Sequence, residues 1–201
     1  MSVDPKSREG IAMYAPEEDR GDDSSRFISD VQTLRARARQ HMELGPVTPD
    51  YPDGRAQICQ LLNEALATEL VCVLRYKRHY FTARGSAGKV AAAEFLEHAT
   101  EEQDHADRIA QRIAQLGGDP DLNPATLLAR SHSEYDEHES VRDMLQSDLF
   151  AERVAIESYR EMVRYFGDRD PTSRRLMEEI LASEEEHADD LVNLLHDLPL
   201  G

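Results

Sequence analysis

Residues 62–76 read LNEALATELVCVLRY, and residues 144–152 read MLQSDLFAE. In the first stretch Leu62, Leu66, Val73 and Tyr76 recur at helical steps, and Glu69 interrupts their apolar stripe. Leu145, Leu149, Ile156 and Tyr159 make a second stripe of the same spacing, interrupted by Glu152. A buried carboxylate is costly unless something pairs with it. Two such interruptions in matching places therefore point to a polar centre inside a helical fold.

Working outward, residues 53–198 divide into four segments of helical period. The pattern predicts helices over 54–84, 87–116, 140–166 and 171–197. Gly85, Gly117-Gly118 and Gly167 end the first three, and Pro171 suits the first turn of the fourth. Short links make the first and second helices, and the third and fourth, antiparallel hairpins. Residues 119–140 are long enough to cross the bundle and should carry a short helix over 124–132. No strand pattern is visible, so the fold class is all-α. Residues 56–198 form the bundle, and residues 1–55 read as a largely irregular extension, with Pro5, Pro16, Pro46, Pro49 and Pro52. One short helix is expected there, over 25–44, with Phe27, Val31, Leu34 and Met42 on its apolar side.

The other two bundle helices each carry Glu-x-x-His: Glu102 with His105, and Glu184 with His187. Residues three apart share a helix face, so each motif aims two donors the same way. Ile180, Glu184, His187 and Leu191 set that face inward on the last helix. Glu69 precedes Glu102 by 33 residues, and Glu152 precedes Glu184 by 32. In two antiparallel hairpins these spacings bring four glutamates and two histidines to one level. Such a set holds two divalent metals in carboxylate-bridged bundles. Iron, manganese and zinc all accept these donors. The remaining histidines, His41, His79, His98, His132, His138 and His196, show no comparable grouping and read as surface or access-path residues.

Composition narrows the function. The formal net charge of −17 repels phosphate backbones, so nucleic acid is not an expected partner. Arg35, Arg37 and Arg39 read as a solvated helix face. No membrane span is expected, and Met1–Gly10 lacks the layout of a signal peptide, which suggests a cytoplasmic protein. Cys59 and Cys72 lie 13 residues apart, about 20 Å along a helix, too far to bridge each other.

The stretches at 62–76 and 144–152, with EEQDHADR at 101–108 and EILASEEEHADDL at 179–191, resemble bacterioferritin and the Dps-like branch of the ferritin superfamily. The resemblance implies a ferritin-like four-helix bundle and a ferroxidase that oxidises Fe²⁺ with peroxide or oxygen, for iron storage and protection from oxidative stress. It implies Glu69 and His105 on one iron, Glu152 and His187 on the other, and Glu102 and Glu184 bridging them. Tyr76 matches the site-proximal tyrosine of the family. Gln103 stands where bacterioferritin has its haem-binding methionine, so no haem is expected. The 14 residues after His187 leave no room for a fifth helix, and with the long crossover this implies a Dps-like cage of 12 subunits rather than 24. Relatives of this mixed type carry a thiol pair near the metal, of which Cys72 would be one member. Manganese catalase uses the same donor types and stands as an alternative. A rubrerythrin-like peroxidase would need a Cys-x-x-Cys module, which is missing. A non-enzymatic DNA-coating cage is opposed by the charge.

Overall fold

The computed structural model describes residues 29–198, and every described element is helical. In chain order these are α1 (Val31–Ala38), a 3₁₀ turn (Met42–Leu44), α2 (Arg55–Thr82), α3 (Gly85–Gln115), α4 (Leu127–Arg130), α5 (Val141–Phe166) and α6 (Pro171–Asp197). The helices α2, α3, α5 and α6 form the bundle, α2 pairing with α3 and α5 with α6. The predicted ends hold to within two residues. Their causes are local. The Ser140 hydroxyl accepts the Asp143 amide at the start of α5, and Asp170 accepts the Ser173 amide at the start of α6. Gly117, at φ +72°, turns the chain out of α3 in the left-handed region that favours glycine.

Two expectations need correction. The crossover helix is one turn, Leu127–Arg130, not 124–132. Asp121 and Asn123 spend their side chains on the amides of Asn123 and Ala125, and these local turns compete with helix. The helix expected over 25–44 is reduced to α1 and the 3₁₀ turn. Asp30 caps its start by accepting the Gln32 and Thr33 amides, and His41 breaks it at φ +52°. Val31, Leu34 and Met42 of its expected apolar side are exposed. Phe27 lies outside the described residues, as do residues 1–28 and the 199–201 end. Arg37 pairs with Asp50 at 2.9 Å, while Arg35 and Arg39 are exposed.

The core has two apolar halves. One gathers Leu62, Leu66, Ile109, Tyr159, Phe166 and Ile180; the other gathers Tyr76, Phe95, Met144, Leu145 and Leu191. Along all four bundle helices the Glu and His positions fall between them. The α5 stripe is turned from the expected one: Leu149 and Ile156 are half-buried, and Asp148, Ala151 and Ala155 face inward instead. α2 has the length and mean hydropathy of a membrane-crossing helix, but 61% of its most apolar window is buried inside the bundle, as in a core helix.

One end of the bundle is closed by a buried ion pair. Arg112 on α3 donates to both oxygens of Asp170, at 2.9 and 3.1 Å, and to Ser173 at 2.8 Å. The Tyr51 hydroxyl donates to the same carboxylate at 2.6 Å and ties the segment before α2 to the α5–α6 corner. Burial raises the Asp170 carboxyl, but the Ser173 bonds, Tyr51 and Arg112 together hold it below its ordinary value. A depressed acid stabilises the fold above its unfolded value, and that contribution fades as pH falls through about 3.9 and below. Asp170→Ala removes a helix cap and strands Arg112, so it should cost about 3–5 kcal/mol in denaturant unfolding at pH 7. The difference from the unsubstituted protein should shrink below pH 4.

Candidate metal centre

Each bundle helix delivers its glutamate to the level between the two apolar halves. Glu69 comes from α2, Glu102 and His105 from α3, Glu152 from α5, and Glu184 and His187 from α6, and all six are buried. They fall into two overlapping groups. One donor atom each from Glu69, Glu102, His105 and Glu184 lie within 4.8 Å of one another, and so do atoms from Glu102, Glu152, Glu184 and His187. Glu102 and Glu184 belong to both groups.

The two imidazoles turn Nδ1 inward. His105 Nδ1 stands 3.1 Å from Glu184, 3.3 Å from Glu69 and 3.4 Å from Glu102. His187 Nδ1 stands 3.5 Å from Glu184 and 3.6 Å from Glu102. His187 Nε2 donates outward to Glu101 at 2.6 Å, which fixes the ring with Nδ1 facing the centre. Two tyrosines brace the carboxylates crosswise. Tyr76 of α2 donates to Glu152 of α5, and Tyr159 of α5 donates to Glu69 of α2. Glu102 Oε1, Glu152 Oε2, both Glu184 oxygens and His187 Nδ1 are sealed from solvent with no hydrogen-bond partner among the described residues. Buried polar atoms without partners are rare and call for an explanation. A pair of cations between the carboxylates supplies one, so the donor set fits two metal ions.

Without metal, burial and the facing charges shift all six groups. Burial first, then the Glu102 charge, pushes the Glu69 carboxyl up to about 8. Burial with Glu102 and Glu184 raises Glu152 well above the carboxylate range. Burial also works to raise Glu102 and Glu184, but the close approach of the two imidazoles and of Glu69 and Glu152 leaves both below their ordinary value. Burial alone lowers the imidazoles; the facing carboxylates outweigh it, raising His105 and pushing His187 up to about 12. These directions favour charge on Glu102, Glu184 and the two imidazoles, and the neutral form of Glu69 and Glu152.

The structure brings together all six residues singled out in the sequence and places Tyr76 against Glu152. Gln103 is half-buried on α3 and donates to Asp107 at 3.0 Å. Two histidines read as surface or access-path residues are instead buried. His98 stacks on His187 with ring centroids 4.1 Å apart, and burial with His187 pushes it down to about 3. His79 lies 2.8 Å from Asp148. Asp148 also takes Arg75 at 2.8 Å, and Arg75 donates on to the Glu134 carbonyl at 2.9 Å, pinning the crossover against α2. That network, Glu101 and Tyr159 were missed. Only Tyr159 had a signal, since it follows Glu152 at the interval by which Tyr76 follows Glu69. Cys72 is buried with the Ser133 hydroxyl 3.8 Å from its sulfur, and Cys59 is half-buried.

Four glutamates and two histidines inside a four-helix bundle with one long crossover are the architecture of the carboxylate-bridged metal bundles. Residues 59–201 match the ferritin-like domain family, and the chain belongs to it. It is 36% identical over 146 residues to the nutrient stress-induced DNA-binding protein of a Synechococcus species, covering 70% of this chain and 81% of that one. It is 32% identical over 137 residues to the bacterioferritin of Rhodobacter capsulatus, covering 68% and 81%. The bacterioferritin-related, dodecameric thioferritin of Bacteroides fragilis superposes with a TM-score of 0.69 at 32% identity, over 72% of this chain and 87% of that one.

Filling the centre with two divalent cations requires Glu69, Glu152, His105 and His187 each to give up a proton. All four are shifted toward their protonated forms, so metal and protons compete and affinity falls as pH is lowered. Titration calorimetry with Zn²⁺ in two buffers of different ionisation enthalpy should count about four protons released per subunit at pH 7. Two or fewer would mean that Glu69 and Glu152 are already ionised in the empty centre.

Proposed function

We propose that the chain is the subunit of a cage-forming ferroxidase whose substrate is a pair of Fe²⁺ ions. The observation that carries this reading is the pair of overlapping donor groups sharing Glu102 and Glu184 in the core. Glu69 and His105 hold one ion, Glu152 and His187 hold the other, and the shared carboxylates lie between. Charges of +4 from two Fe²⁺ meet −4 from four ionised glutamates, so the filled centre is neutral and tolerates its low-dielectric surroundings. Two adjacent metals can deliver two electrons to one acceptor. With peroxide the balance is two Fe²⁺, one H₂O₂ and two H⁺ giving two Fe³⁺ and two H₂O. No one-electron radical need escape, which suits detoxification and storage of iron.

This chain's own residues do the positioning. Glu101 holds the His187 ring, and Tyr76 and Tyr159 steady Glu152 and Glu69 without adding charge. The apolar halves above and below keep bulk water from the carboxylates. Similarity to the dodecameric Bacteroides protein supports a 12-subunit cage, with the acidic charge favouring cation uptake over DNA coating.

Light scattering should give a mass near that of twelve 22.8 kDa chains, about 274 kDa. In stopped-flow absorbance with Fe²⁺ and either peroxide or oxygen, Glu102→Gln with Glu184→Gln should lower the initial oxidation rate at least about 100-fold. An assembled double variant oxidising iron at the unsubstituted rate would sink the proposal.

A further inference from the structure

A third group of donors lies beside this centre. Glu94 and His98 stand one turn apart on α3, and Asp190 follows His187 by three residues on α6. One donor atom from each lies within 4.8 Å of the others. His98 Nε2 faces Glu94 at 3.2 Å and Asp190 at 3.9 Å. Its ring is 1% exposed, and Nε2 has no hydrogen-bond partner among the described residues.

The tautomer follows from the opposite side of the ring. His98 Nδ1 stands 3.2 Å from the Tyr76 hydroxyl oxygen. Tyr76 has one O–H, and it goes to Glu152. Toward His98 that oxygen can only accept, so Nδ1 carries the proton. The Nε2 lone pair then points at two carboxylates, an arrangement of three acceptors that a cation among them satisfies. Donors about 2.1 Å from one ion stand about 3.0–3.4 Å apart; the His98–Glu94 distance of 3.2 Å lies in that range, and Asp190 at 3.9 Å has to draw in by about half an ångström.

We propose that Glu94, His98 and Asp190 form a third divalent-cation site, at the surface and one imidazole from the pair of core metals. The Glu94 and Asp190 side chains are 28% and 43% exposed, so an ion reaches them from solvent, while His98 behind them is sealed and stacked on His187. One imidazole with two carboxylates suits Zn²⁺, Fe²⁺ or Mn²⁺ and leaves coordination positions for water. A place in iron traffic for this site rests on the oxidation reading of the neighbouring centre; binding at the site does not.

The test is crystals of the assembled full-length protein soaked in Zn²⁺ alone, with anomalous difference maps collected on both sides of the zinc edge. A peak between Glu94, His98 and Asp190 is expected, whether or not the core centre fills. Full core sites with no peak here would overturn the proposal and leave the core reading standing. In Glu94→Gln with Asp190→Asn, two exposed and near-isosteric changes, zinc per subunit should drop from three to two by elemental analysis. A third ion kept at this position in that variant would equally overturn the site.

Discussion

Four carboxylates in the centre of a helical bundle are the constraint around which this chain is built. An apolar core of this size could close on itself without them, and each buried charge works against folding unless it is matched. The matching within the chain is partial. Glu102 and Glu184 face His105 and His187, and Tyr76 and Tyr159 donate to Glu152 and Glu69, while the other buried acceptors keep no partner among the described residues. The two apolar halves supply the stability that tolerates this layer, and they fix its height because all four helices change from apolar to polar and back at one level.

Most of that layer was legible in the sequence, because it rests on spacing. Helix periodicity and the Glu-x-x-His pairs depend only on residues close in the chain, and glycine and proline mark the helix ends. What stayed hidden depends on contacts between distant segments. Arg75 reads as one more charged residue on a helix until Asp148, 73 positions away, arrives to bury it. His98 looks unremarkable until α6 brings His187 over its ring. The α5 stripe was misread in detail for a related reason. Leu149 and Ile156 have the right period, but the inward face is turned so that Asp148 can meet Arg75 and His79. The overlong crossover helix failed differently, since Asp121 and Asn123 have short side chains able to capture nearby amides.

Two polar networks outside the centre hold the frame rather than add to the chemistry. Arg75, Asp148 and His79 lock α2 to α5 and anchor the crossover, while Arg112, Asp170 and Tyr51 clamp the opposite end. The second network ties in the segment leading to α2. The six donors are thus held between two rigid ends, which keeps the carboxylates from relaxing apart.

The crosswise tyrosines have a further meaning. Each hairpin contributes one plain glutamate, one Glu-x-x-His and one tyrosine, at intervals of 33 residues in the first and 32 in the second. Neither hairpin uses its own tyrosine: Tyr76 serves Glu152, and Tyr159 serves Glu69. The two halves are therefore related as the members of a twofold dimer are, each completing the other. Two copies of one such hairpin would satisfy the same pair of tyrosine–glutamate bonds.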